Sequence, residues 1–113
     1  MKSTTDIRLI YSTFPDMESA RDAAAKLVTL RLVACVNMWP GMVSVYRWQG
    51  AVEEGAEVVV LAKTSAARLE EAMAAIVELH PFDEPAVLAL DVAHGSPSFL
   101  DWIRAETRGG AVD

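Results

Sequence analysis

The stretch from Ala34 to Thr64 constrains the fold most. It reads Ala-Cys-Val-Asn-Met-Trp-Pro-Gly-Met-Val-Ser-Val-Tyr-Arg-Trp-Gln-Gly, then an acidic segment, then Glu-Val-Val-Val-Leu-Ala-Lys-Thr. Apolar and β-favouring residues run for two strand lengths from Ala34 to Trp48, interrupted only by Pro40-Gly41, so one long bent strand is expected. Gly50 and Gly55 flank the predicted reversal, and Glu57 to Lys63 supplies the returning strand of a long hairpin. Such a ribbon projects from a small domain. Tyr46 and Trp48, two apart near its tip, share one face, and large aromatics on a projecting ribbon belong to interfaces.

The rest of the chain is short. Its 113 residues suit one domain, 1–113, with an ordered core of about 6–107, and 52% apolar content exceeds what a domain of this size readily hides alone. A net charge of −6 with only 10 Lys and Arg offers no basic field for phosphate backbones, which argues against nucleic-acid binding. A single cysteine rules out an internal disulfide framework. The first residues hold no apolar signal core, and no apolar run approaches the roughly 18 residues of a membrane span. The expectation is a cytoplasmic protein with no membrane partner.

In chain order, Ile7 to Thr13 is strand-like, with Ile7, Leu9 and Tyr11 on one face, and Pro15-Asp16 ends it. Asp16 caps a predicted helix on which Ala20, Ala23, Ala24, Leu27 and Val28 recur at helical spacing to about Leu30. After the hairpin, Thr64 or Ser65 opens a second helix with Leu69, Met73, Ile76 and Val77 as its buried stripe. Pro81 forces His80 into extended geometry just past the last turn. A fourth strand, Ala86 to about Val92, is nearly all apolar and reads as central or covered on both faces. Pro97 starts a short C-terminal helix carrying Phe99, Trp102 and Ile103, and fraying is expected from Gly109-Gly110 onward. The order is an α+β, ferredoxin-like βαββαβ sandwich with a long central hairpin and a short C-terminal helix.

Few residues can carry chemistry. There is no phosphate-binding glycine loop, paired-cysteine motif, His-Glu-x-x-His or Gly-x-Ser-x-Gly. Cys35, between Ala34 and Val36, reads as a small core residue. Glu53-Glu54 and Glu70-Glu71 read as solvated surface. Asp83-Glu84 shares a proline-bounded loop with His80, and an imidazole with nearby carboxylates is a candidate site for Zn²⁺ or Cu²⁺; the competing role for His80 is a cap or hydrogen-bonding residue. Lys63 is either an edge cation reaching water or a ligand for an anion. Trp39, Trp48 and Trp102 read as packing residues.

Taken together, Ala34-Cys35-Val36-Asn37, Pro40-Gly41, Ser44-x-Tyr46-x-Trp48-x-Gly50, Glu57, Lys63-Thr64, His80-Pro81-Phe82-x-x-Pro85, Gly95 and Leu100-x-Trp102 resemble the CutA family of divalent-cation tolerance proteins, over about Ile7 to Ile103. The resemblance implies a ferredoxin-like subunit in a tight homotrimer, with Trp39, Tyr46, Trp48 and Trp102 at the trimer interface. It implies a response to metal ions, with His80, Asp83 and Glu84 as metal candidates. Some members carry cysteine where this chain has Ser12 and histidine where it has Leu79, so only weak binding of Cu²⁺ or another divalent cation is expected.

Three functions follow as expectations. The preferred one is a trimeric, non-enzymatic tolerance protein that binds divalent metal weakly. The alternative, by analogy with the similarly planned PII signalling proteins, is a sensor or binding module whose intersubunit cleft of Tyr46, Trp48, Lys63 and His80 holds a small anionic ligand. An acylphosphatase-like hydrolase is disfavoured, because Asp16 stands in the loop where an anion-binding arginine would be needed.

Overall fold

The computed structural model describes residues 4–109. β1 (Ile7–Phe14) leads through Pro15 into α1 (Met17–Thr29), where Asp16 Oδ1 accepts from the Ser19 amide at 2.7 Å, as the sequence predicts for a cap. β2 (Cys35–Trp48) and β3 (Ala51–Ser65) form the hairpin, a 3₁₀ turn over 66–68 leads into α2 (Leu69–Leu79), and β4 (Val87–Asp91) and α3 (Pro97–Glu106) complete the chain. The sheet order β2-β3-β1-β4 is antiparallel throughout and is the ferredoxin-like arrangement. The tail expected to fray lies, from Gly110 onward, outside the described residues.

The hairpin is longer than the sequence reading. Gln49 and Gly50 alone make the reversal, with φ of 50° and 82°, and Trp48 pairs with Ala51. Positive φ at both positions is what a two-residue type I′ turn requires. Gly55 therefore lies inside β3 and does not flank the turn.

The Pro40-Gly41 interruption does more than bend β2. Trp39 pairs with Val59 and Met42 with Glu57, so β2 carries one residue more than β3 between these pairs, with Gly41 at φ 86°. An extra residue reverses the in-out alternation of a strand. Trp39, an odd position, thereby comes to the same face as the even positions Met42, Ser44, Tyr46 and Trp48.

α1 and α2 cover one face of the sheet, where Ile10, Phe14, Val58, Val60 and Ala62 pack with Ala20, Ala23, Leu27, Ala72 and Ile76. Ile7, Leu9 and Tyr11 do share a face, but it is the opposite one. There α3 covers only the base, setting Leu100 and Ile103 against Ile7 and Ala34. Beyond it Leu9, Tyr11 and Leu61 are half-buried, while Leu88 and Leu90 are 61% and 47% exposed.

β4 corrects the reading of a covered central strand. It is an edge strand bonded only to β1, and within one chain four of its five residues are exposed. Val87 packs against the helix-side core, but among the described residues neither helix nor strand covers Leu88 and Leu90. No helix among the described residues is long and apolar enough to cross a membrane.

Candidate functional site

His80 is placed by α2. Pro81 excludes helical geometry from the residue before it, and His80 is accordingly the C-cap, extended at φ −78° and ψ 141°. The ring is then driven inward against Phe14, with centroids 4.2 Å apart, and lies 5.1 Å from Phe82. Only 7% of the residue is exposed.

Both ring nitrogens are engaged. Nε2 donates to the Thr13 carbonyl at 2.6 Å, and Nδ1 accepts from the Phe82 amide at 3.1 Å. A carbonyl only accepts and an amide only donates, so the ring is the neutral tautomer with its proton on Nε2. No lone pair remains for a metal ion. His80 ties the end of β1 to the loop after α2.

Asp83 and Glu84 follow on that loop, exposed. They do not join His80 in a ligand set: among the described residues no three His, Cys, Asp or Glu side chains come together as metal ligands do. Ser12 and Leu79 add nothing in their place. Ser12 is fully buried with its hydroxyl unpartnered, and Leu79 packs against the core.

The loop instead meets the hairpin. Tyr46, Trp48, Pro81, Phe82, Asp83 and Glu84 line a groove of about 480 Å³, within the range of small-ligand pockets. Two aromatics from β2 thus stand with an aromatic and two carboxylates from the loop. Phe82 and Pro81 were not singled out by sequence reasoning as site residues, although the His-Pro-Phe run that fixes the loop was visible.

Lys63 is elsewhere. Tyr46 pairs with Glu53, and Lys63 lies ten positions further along β3, about 33 Å at strand rise. Its Nζ donates to Asn37 Oδ1. Within one chain the four residues Tyr46, Trp48, Lys63 and His80 do not surround one cavity, and the charge near the aromatics is negative.

The four expected interface aromatics are exposed but divided between the two ends of the sheet. Trp39, Tyr46 and Trp48 share the open face of β2 and its extension, at 46%, 44% and 56% exposure. Trp102 sits at the base on α3, stacked on Phe99 with centroids 5.7 Å apart. The Asp16 carboxylate occupies the N-terminus of α1; its hydrogen bond from the Ser19 amide leads the causes that hold its pKa below the ordinary 3.8. Asp16 thus places a negative charge at the helix N-terminus where an acylphosphatase-like loop would carry an arginine.

The CutA1 divalent ion tolerance protein family matches residues 8–106. The chain belongs to the CutA family. It is 41% identical over 99 residues to the divalent-cation tolerance protein CutA of Thermus thermophilus, covering 88% of this chain and 96% of that relative. The crystal structure of CutA from Xylella fastidiosa superposes with a TM-score of 0.89 at 43% identity, covering 91% of this chain and 99% of that one. A CutA structure from Archaeoglobus fulgidus, named a periplasmic divalent cation tolerance protein, gives 0.87 at 30% identity, with coverage of 90% and 99%. CutA relatives are named for tolerance and not for a catalysed reaction.

Proposed function

We propose that this CutA chain serves divalent-cation tolerance as a non-enzymatic homotrimer that binds copper or another divalent ion weakly. The observation that carries it is the open sheet face. Leu88 and Leu90, beside the half-buried Leu9, Tyr11 and Leu61, form an apolar surface that is left open among the described residues, and each leucine fully buried contributes about 2 kcal/mol. Association of subunits is the direct way to bury it. The metal is assigned to the rim carboxylates Asp83 and Glu84, because both nitrogens of His80 are engaged. Two carboxylates without imidazole or thiolate make a weak and labile site. A cytoplasmic setting suits the single free Cys35.

Native mass spectrometry of the metal-stripped protein titrated with Cu²⁺, beside an Asp83→Asn, Glu84→Gln double variant, tests both parts. A trimer that takes up a fixed number of ions, lost in the double variant, is expected. A monomer at all concentrations refutes the assembly, and equal uptake by both proteins refutes the carboxylate site.

The groove supports a second reading, a binding module for a small molecule. Its two walls come from β2 and from the loop after α2, and its volume suits a small ligand.

A further inference from the structure

The groove between the hairpin tip and the loop has a definite chemistry. Tyr46 and Trp48 leave β2 on the same side, and Phe82 comes from the facing loop. The rings are 44%, 56% and 46% exposed, so their faces are accessible in the chain. Asp83 and Glu84 stand on the rim, and among the described residues neither is in a salt bridge. Glu53, the cross-strand partner of Tyr46, adds a third acid on that side of the hairpin.

Among the described residues, no cation lines the groove to answer this charge. The lining contains neither lysine nor arginine. Arg47 lies between Tyr46 and Trp48 on the strand, so its side chain leaves from the opposite face. Lys63 is about 33 Å along β3 from Glu53. An anionic ligand would meet two or three carboxylates and no countercharge.

We propose that the groove is a binding site for a small organic ammonium ion, whose apolar substituents and positive charge are received by Tyr46, Trp48 and Phe82 and whose charge is balanced by Asp83 and Glu84. Aromatic faces carry negative potential, and several of them around one cation make the recognition typical of substituted ammonium groups. The carboxylates add charge that a plain apolar pocket lacks. A hydrated metal ion uses the acids but gains nothing from the rings. This inference rests on the second reading above, that the groove takes a small ligand; the ammonium ion would share Asp83 and Glu84 with a bound metal ion and compete with it.

The probe is tetramethylammonium, titrated into the full-length protein with ¹⁵N-labelled tryptophan and read by the indole resonances. Neopentyl alcohol, of similar shape and without charge, is the control at matched ionic strength. The expected result is a saturable shift confined to Trp48, with the alcohol binding about tenfold more weakly. Asp83→Asn with Glu84→Gln should weaken tetramethylammonium by a similar factor and leave the alcohol unchanged. Equal binding of ion and alcohol overturns the ammonium assignment while leaving a ligand groove. No shift with either overturns both. A shift at Trp39 or Trp102 in place of Trp48 puts the site elsewhere and also overturns the proposal.

Discussion

On the helix-covered face of the sheet, Ile10, Phe14, Val58, Val60 and Ala62 are each at most 4% exposed; on the other face Leu88 is 61% and Leu90 47% exposed. The side chains are alike in chemistry, so apolarity does not explain the difference. Helices do. α1 and α2 present Leu27, Ala72 and Ile76 to the first face, whereas α3 is only 10 residues long and covers just the base of the second. One face is a finished core, and the other is apolar and left open within the described chain.

The largest effect should come from the finished side. Phe14→Ala removes a ring that is 1% exposed and packs on His80, and a void of that kind costs about 4 kcal/mol. Denaturant unfolding should show this loss at every protein concentration. If Phe14→Ala costs under about 1 kcal/mol, the two faces are not energetically distinct and the comparison fails.

His80→Ala comes next. It leaves the Thr13 carbonyl and the Phe82 amide without partners in a nearly closed site, for about 3 kcal/mol. The loss should appear without any metal present, and hydrogen exchange should accelerate first at Phe82. A variant as stable as the parent in chelator would restore a metal-binding role to the histidine.

The open face should respond through assembly. Leu88→Asp and Leu90→Asp spoil apolar surface left open among the described residues, at about 2 kcal/mol per site. Sedimentation should show dissociation at higher protein concentrations than for the parent, with an unfolding midpoint that rises with concentration. An unchanged profile down to nanomolar protein would detach this face from assembly.

Much of this contrast can be read in the sequence, and the parts that cannot share a cause. α1 with its Asp16 cap, α3 from Pro97 and the extended His80 before Pro81 depend on neighbours within a few residues and lie where local rules put them; α2 starts at Leu69 after a 3₁₀ turn, and Thr64 and Ser65, expected to open it, end β3. What escaped depends on pairing across the sheet. The residue gained at Pro40-Gly41 brings Trp39 to the side of Tyr46 and Trp48, although period-2 alternation places them on opposite faces. β4 looked central because its apolar run gives no hint of whether its cover comes from the same chain. The Thr13 carbonyl that takes up His80 is 67 residues away, so the sequence offers a hydrogen-bonding role for the imidazole without naming its partner. Lys63 and Tyr46 stand about 33 Å apart along the hairpin of one chain, so a cleft that holds both needs two subunits.

Ser12→Ala tests the finished side from the opposite direction. The Ser12 hydroxyl faces the helix-side core, fully buried, and has no hydrogen-bond partner among the described residues. Removing an unpartnered buried polar group should stabilise the subunit by about 1 kcal/mol. A loss of stability would mean that the hydroxyl has a partner, such as a buried water, and that this core is less dry than its neighbours imply.

The smallest effect lies at the edge of the same core. The Ser19 amide holds the Asp16 pKa below 3.8, with the Ser19 hydroxyl second among the causes. A carboxyl with a depressed folded-state pKa stabilises in full above its unfolded value and loses that contribution as pH falls through the folded one. Asp16→Ala should therefore lower the melting temperature slightly and evenly at neutral pH, with the gap to the parent closing below about pH 3.8. Asp16 is exposed, so salt should reduce the electrostatic part of the gap and leave the cap's hydrogen bond. If the gap persists into acid, the residue acts through the conformation of the Phe14–Met17 corner and not through its charge.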